Sequence, residues 1–97
     1  MQTIHYEFKK KLNEITELSK KINNDDKQKI IDMMKVHIDE IHERYNNNDE
    51  HWAVETCDLI VLCYELLISE KKDIDDTFSR CLPRFDIKLG RLVKNVN

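Results

Sequence analysis

Apolar residues recur along this chain at steps of three and four, which is the period of an amphipathic α-helix. Four such segments can be traced, at about 3–22, 26–45, 49–70 and 73–97. Aspartates precede the later segments as candidate N-caps, namely Asp25 or Asp26, then Asp49, then Asp73. The pattern predicts an all-α protein, an antiparallel bundle of about four helices in a single domain spanning 1–97. Pro83 interrupts the last segment, where we expect a kink or two short helices in line.

The third segment is apolar on almost every side. It reads WAVETCDLIVLCYELLI from Trp52 to Ile68, and a helix of this kind is expected to be buried. It carries more apolar surface than the other helices of so short a chain would cover. We therefore expect oligomerisation to complete the core, as a homodimer or a dimer of dimers with a four-helix centre.

Composition narrows the class of protein. One glycine and one proline in 97 residues agree with a helical fold, and a net charge of -3 argues against a nucleic-acid-binding surface. Three cysteines make neither a disulfide framework nor a paired metal motif, so we interpret them as buried, reduced thiols of a cytoplasmic protein. The first residues contain no apolar signal-peptide core, and the acids of the third segment disfavour burial in lipid.

Two pairs of acids form the strongest candidate site. Glu40 and Glu43 stand three apart on the second predicted helix, and Glu55 and Asp58 stand three apart on the third, so each pair shares a helix face. A solvated charged face would explain the first pair by itself. It explains the second pair poorly, because carboxylates in an apolar helix require a cation or a metal ion. Four converging carboxylates suit Mg²⁺ or Mn²⁺ better than zinc.

These acids, EIHE at 40–43 followed by ETCD at 55–58, resemble the ExxE…ExxD signature of the MazG-like nucleoside triphosphate pyrophosphohydrolases, an all-α family. The resemblance covers roughly 30–93. It implies a Mg²⁺-dependent enzyme, with Mn²⁺ as a substitute, that hydrolyses a nucleoside triphosphate to the monophosphate and pyrophosphate. It also implies that Glu40, Glu43, Glu55 and Asp58 are the metal ligands and catalytic residues.

Cationic and aromatic residues near these motifs are candidates for binding the substrate. Lys88 and Arg91, together with Arg84, can offset the charge of the β and γ phosphates, or they can form a solvated basic face. Trp52 can stack on the base or fill an interface. His37, His42 and His51 lack the spacing of a zinc site, so we interpret them as surface or interface residues.

A second interpretation belongs to another class of protein. A short, acidic, self-associating helical bundle also suits a non-catalytic interaction module, such as an antitoxin, immunity protein or adaptor. The preferred base and sugar of a nucleotide substrate depend on the shape of a pocket, so the acid motifs leave them open. Release of pyrophosphate from nucleotides in the presence of Mg²⁺ distinguishes the two interpretations.

Overall fold

The computed structural model describes residues 4–96, and this part of the chain forms four α-helices without a strand. The helices are α1 (Ile4–Asn23), α2 (Lys27–Asn46), α3 (Trp52–Ser69) and α4 (Ile74–Val96). The predicted all-α bundle is therefore confirmed. α4 runs through Pro83 as one helix of 23 residues rather than as two shorter helices in line.

Helix caps agree with the sequence at two of three positions. The carboxylate of Asp26 accepts a backbone N–H two residues later at 3.0 Å, and that of Asp73 accepts one three residues later at 2.8 Å. The prediction for Asp49 is wrong, since the N-cap of α3 is His51. Asp49 accepts the backbone N–H of His51 at 3.0 Å. It therefore stabilises the turn before α3. Asn48, which lies next to it in the same turn, has a left-handed φ of 58°.

α3 is the central helix of the fold. It packs most extensively against α2, less against α1 and least against α4. The apolar core is small, because Leu12 and Ile30 are the buried apolar side chains among those described. The predicted apolar stripe of α1 is buried only in part, since Leu18 is 59% exposed and Ile22 is 81% exposed. One copy of the chain therefore leaves much of its apolar surface in solvent.

The interior of the fold is unusually polar, while α4 is apolar on its outside. Among the side chains that the structure describes, four polar or charged ones are buried, namely Thr16, Glu55, Glu65 and Ser69. Six of the described apolar side chains of α4 are more than half exposed, namely Leu82, Phe85, Ile87, Leu89, Leu92 and Val93. No helix in the described part of the chain has both the length and the apolar character needed to cross a membrane.

Candidate metal-binding site

One face of α2 meets the first two turns of α3, and this junction holds the candidate site. His37, Glu40 and Arg44 follow one another on α2 at steps of three and four, so they lie on the same face of the helix. Glu55 and Asp58 stand three residues apart on α3, so they also share one face of their helix. Because α2 and α3 form the most extensive helix pair of the fold, these two faces are held against each other.

Glu55 occupies the centre of the site and is only 6% exposed. The Glu40 carboxylate lies within hydrogen-bonding range of it and, together with burial, raises the pKa of Glu55 above its usual range. The charges of His37 and Arg44 oppose this shift without reversing it. Two facing carboxylates in a buried position are favoured by a shared proton or by a cation between them.

His37 directs one ring nitrogen at the acids. Its Nδ1 lies 2.9 Å from the backbone carbonyl of Met33, and because a carbonyl only accepts, this contact assigns the N–H to Nδ1. In the neutral ring Nε2 then carries a lone pair. Nε2 lies 3.9 Å from Oε1 of Glu55 and 3.7 Å from Oδ2 of Asp58. A hydrogen bond from one ring nitrogen to a backbone carbonyl is also common in metal-binding histidines.

Arg44 approaches Glu55 from the opposite side. Its Nη1 donates to Oδ2 of Asp49 at 2.9 Å, which holds the guanidinium against the turn before α3. Its Nε lies 3.6 Å from Oε2 of Glu55 and is buried without a hydrogen-bond partner. The two oxygens of Glu55 therefore have different neighbours, with Oε1 facing His37 and Oε2 facing Arg44.

The structure brings together three of the four predicted acids. Glu40 lies beside Glu55 on the side of α2. Asp58 lies beside Glu55 on α3, near His37. Glu43 is exposed, and no contact with the other three acids is found for it among the described residues. Asp58 is also less buried than its apolar surroundings predicted, because half of its side chain is exposed. The site thus opens to solvent on the side of Asp58.

His37 is the residue of this junction that sequence reasoning missed. The interpretation of His37 as a surface or interface residue rested on the absence of zinc-type spacing between histidines. The signal was its position three residues before Glu40, which places both side chains on one face of α2. His42 and His51, by contrast, are exposed as expected.

The predicted substrate-binding residues lie in two different places. Trp52 is at the start of α3, with its ring edge-on to Tyr45 at a centroid distance of 5.5 Å. Arg84, Lys88 and Arg91 line a groove of about 660 Å³ along α4. Among the described residues, those of α4 alone line this groove, so the acids of α2 and α3 lie outside it. Within one copy, the described structure shows no ion pair between these cations and the acids of α2 and α3.

Three side chains at the α2–α3 junction offer a possible set of ligand atoms for a metal ion. One ligand atom each from His37, Glu55 and Asp58 lie within 4.8 Å of one another. Two atoms bound to one cation at about 2.1 Å can be no more than about 4.2 Å apart. The distances of 3.9 Å from Nε2 to Glu55 and 3.7 Å from Nε2 to Asp58 are both below this limit. Glu40 can add a further oxygen from the α2 side.

Comparison of the chain with protein-family models, with curated proteins and with solved structures found no match.

Proposed function

We propose that this chain is a Mg²⁺-dependent nucleoside triphosphate pyrophosphohydrolase, with Mn²⁺ as a substitute ion. The observation that supports the proposal is the buried carboxylate of Glu55, which has the carboxylates of Glu40 and Asp58 beside it. The resemblance of 40–58 to the ExxE…ExxD signature supplies the reaction class. A nucleotide substrate and three free cysteines suit a cytoplasmic protein.

Some residues of the site bind the cation or the nucleotide, and others position the residues that bind. Glu40, Glu55 and Asp58 provide oxygen ligands, and Glu43 joins them at the solvent side if its exposed side chain turns inward. A bound divalent cation offsets phosphate charge and lowers the pKa of a coordinated water. Arg44 orients Glu55 through its Oε2 and is itself held by Asp49. Arg84, Lys88 and Arg91 bind the β and γ phosphates, and Trp52 contacts the base.

We further propose that a second copy brings α4 to the acids. From Ile74 to Val96, α4 carries five cations and three acids, whereas the remainder of the chain carries eleven cations and sixteen acids. α3 carries three acids and no cation, so a basic, apolar α4 complements the acidic and partly apolar surface of α3 from another copy. Such a homodimer, or a dimer of dimers, covers apolar side chains that are exposed in the single chain.

The decisive experiment is a nucleotide screen with product identification. The full-length protein is incubated with Mg²⁺ or Mn²⁺ and each common ribo- and deoxyribonucleoside triphosphate, and pyrophosphate and monophosphate are measured. We expect Glu55→Gln to reduce turnover by at least about a hundredfold, because a ligand of the activating cation is lost. Glu50→Gln is the matched control, because Glu50 lies in the exposed turn before α3. Absence of turnover with every nucleotide and both metals would refute the proposal.

The exposed apolar face of α4 supports a second candidate function. A helix with six apolar side chains more than half exposed is also what a non-catalytic interaction module, of antitoxin, immunity or adaptor type, presents to a partner protein. Under this alternative, Arg44 and His37 serve only to neutralise Glu55. The alternative predicts no pyrophosphate release and no change in melting temperature when a divalent cation is added.

A further inference from the structure

The side chain that distinguishes this site from a set of carboxylates is His37. Mg²⁺ strongly prefers oxygen ligands and retains its water, whereas imidazole nitrogen suits zinc, iron, nickel and copper. A mixed set of one imidazole and two or three carboxylates belongs to first-row transition-metal ions, whose affinity for such sites rises from manganese through cobalt. The donor set at the α2–α3 junction is of this mixed kind.

We infer that His37 is a nitrogen ligand of the metal at this site, and that the site prefers a first-row transition-metal dication of the Mn²⁺, Co²⁺ and Zn²⁺ class over Mg²⁺. Glu55, through Oε1, and Asp58 are the accompanying oxygen ligands. Glu40 supplies a further oxygen when the ion requires more than three protein ligands. This inference deepens the proposed function, on which its role in catalysis rests, and makes Mn²⁺ rather than Mg²⁺ the ion that the site binds more tightly.

Two observations make the group of His37, Glu55 and Asp58 more than a cluster of acids. Nε2 of His37 carries the lone pair and faces both acids, because Nδ1 is directed to the Met33 carbonyl. Glu55 is more than nine-tenths buried, yet no cationic group among the described residues lies within hydrogen-bond distance of its carboxylate. The nearest side-chain nitrogens given by its ion-pair distances are the Nε atom of Arg44 at 3.6 Å and Nε2 of His37 at 3.9 Å.

Arg44 fits this assignment as a positioning residue. It approaches Oε2 of Glu55, so Oε1 remains available on the side of His37 and Asp58. Its Nη1 is bound to Asp49, which keeps the guanidinium from moving into the space between the ligands. Partners of this kind orient metal-binding carboxylates in many proteins, and their loss weakens metal binding by about 10–100-fold.

Metal binding is tested without substrate, on the full-length protein. Co²⁺ is titrated into the wild-type protein and followed by visible absorption, and its affinity is compared with that for Mg²⁺ by competition. We expect a 1:1 Co²⁺ complex that excess Mg²⁺ does not displace. We expect His37→Gln to weaken Co²⁺ binding by at least about tenfold, since a direct ligand matters no less than a positioning one. His42→Gln is the matched control, because His42 is an exposed histidine of the same helix.

A second measurement does not depend on the variants folding. In wild-type protein labelled with ¹⁵N on its histidine rings, Co²⁺ should shift or broaden Nε2 of His37 well before the signals of His42. Asp58→Asn provides a further variant, because its half-exposed side chain tolerates substitution. Equal Co²⁺ affinity in wild type and His37→Gln, displacement of Co²⁺ by excess Mg²⁺, or no Co²⁺ binding at all would each overturn the inference.

The outcomes also separate this inference from the proposed enzyme activity. Specific Co²⁺ binding through His37 without turnover of any nucleotide would leave the metal site standing and refute the pyrophosphohydrolase. Turnover with Mg²⁺ that His37→Gln leaves unchanged would support the enzyme and refute the nitrogen ligand.

Discussion

The α2–α3 junction buries a charged side chain, whereas α4 exposes large apolar side chains to solvent. At the α2–α3 junction, the carboxylate of Glu55 is buried beside a second carboxylate, although charged groups are normally kept in water. On α4, large apolar side chains such as Phe85 and Leu92 are more than half exposed. Both arrangements are unfavourable in an isolated chain, and each becomes favourable when something binds. The first calls for a cation and the second for an apolar partner surface.

The comparison also separates two sources of stability. α2 and α3 are held to each other by extensive packing, whereas α4 has few contacts with the remainder of the chain. The α2–α3 pair can therefore hold the side chains of the proposed metal site in place within one copy. The position of α4 depends on what covers its apolar face. Each of the following predictions tests one side of this contrast.

The largest effect is expected from a charge placed on the apolar face of α4. If a second copy covers this face, Leu92→Asp removes about 2 kcal/mol of apolar burial per copy and buries an unpaired charge. The molecular mass from light scattering should then fall from that of a dimer or tetramer to that of a monomer. Asn95→Asp, on the same helix at an exposed polar position, should leave the mass unchanged. A wild-type protein that is already monomeric at micromolar concentration contradicts the prediction.

The next effect concerns the α2–α3 junction in metal-free protein. Because the pKa of Glu55 is raised, its ionised form is disfavoured in the fold, and Glu55→Gln should increase the melting temperature at neutral pH. The wild type becomes less stable relative to this variant as the pH rises through the raised pKa of Glu55. The difference should therefore shrink as pH falls towards and below 4.5, where the carboxyl is protonated in both the folded and unfolded states.

Melting curves of both proteins across this pH range, with chelator present, provide the measurement. A variant that melts below the wild type at neutral pH would show that the contacts with His37 and Arg44 outweigh the repulsion from Glu40.

Removal of a helix cap should have a smaller effect, and this effect should differ between α2 and α4. Asp26→Ala removes the N-cap of α2 and should lower the free energy of global unfolding by about 1 kcal/mol. Asp73→Ala removes a comparable cap from α4. Because α4 contacts the body weakly, this loss should appear mainly as faster hydrogen exchange within α4 under conditions where the protein is monomeric. Equal losses of global stability would show that α4 unfolds together with the other helices.

The smallest effect is on cysteine reactivity along α3. Burial raises the pKa of the Cys63 thiol, so less of it is thiolate at neutral pH, whereas Cys57 is exposed. The expectation that all three thiols are buried is thus wrong, because Cys57 is exposed and both Cys63 and Cys81 are only half-buried. We expect an alkylating reagent to modify Cys57 before Cys63, as measured by peptide mass spectrometry over time. Modification of Cys63 first would indicate that α3 opens more readily than its central position suggests.

Several features of the protein followed from the sequence by itself. Apolar residues at steps of three and four predicted four helices within three residues of their observed bounds, because helical periodicity is a local property. Asp26 and Asp73 were predictable as caps for the same reason, since a cap bonds to backbone two or three residues away. The burial of Glu55 followed from its apolar neighbours on α3.

Only the tertiary structure decided which of these residues meet. The packing of α2 on α3 brought Glu40 to Glu55 and left Glu43 exposed, a difference that depends on the rotation of each helix about its axis. The same rotation placed His37 at the site, where spacing between histidines had argued against it. Helical periodicity determines which side chains share a face, but contacts between helices determine where that face points. That is why the sequence predicted the helices and one buried acid, while the ligand set came from the fold.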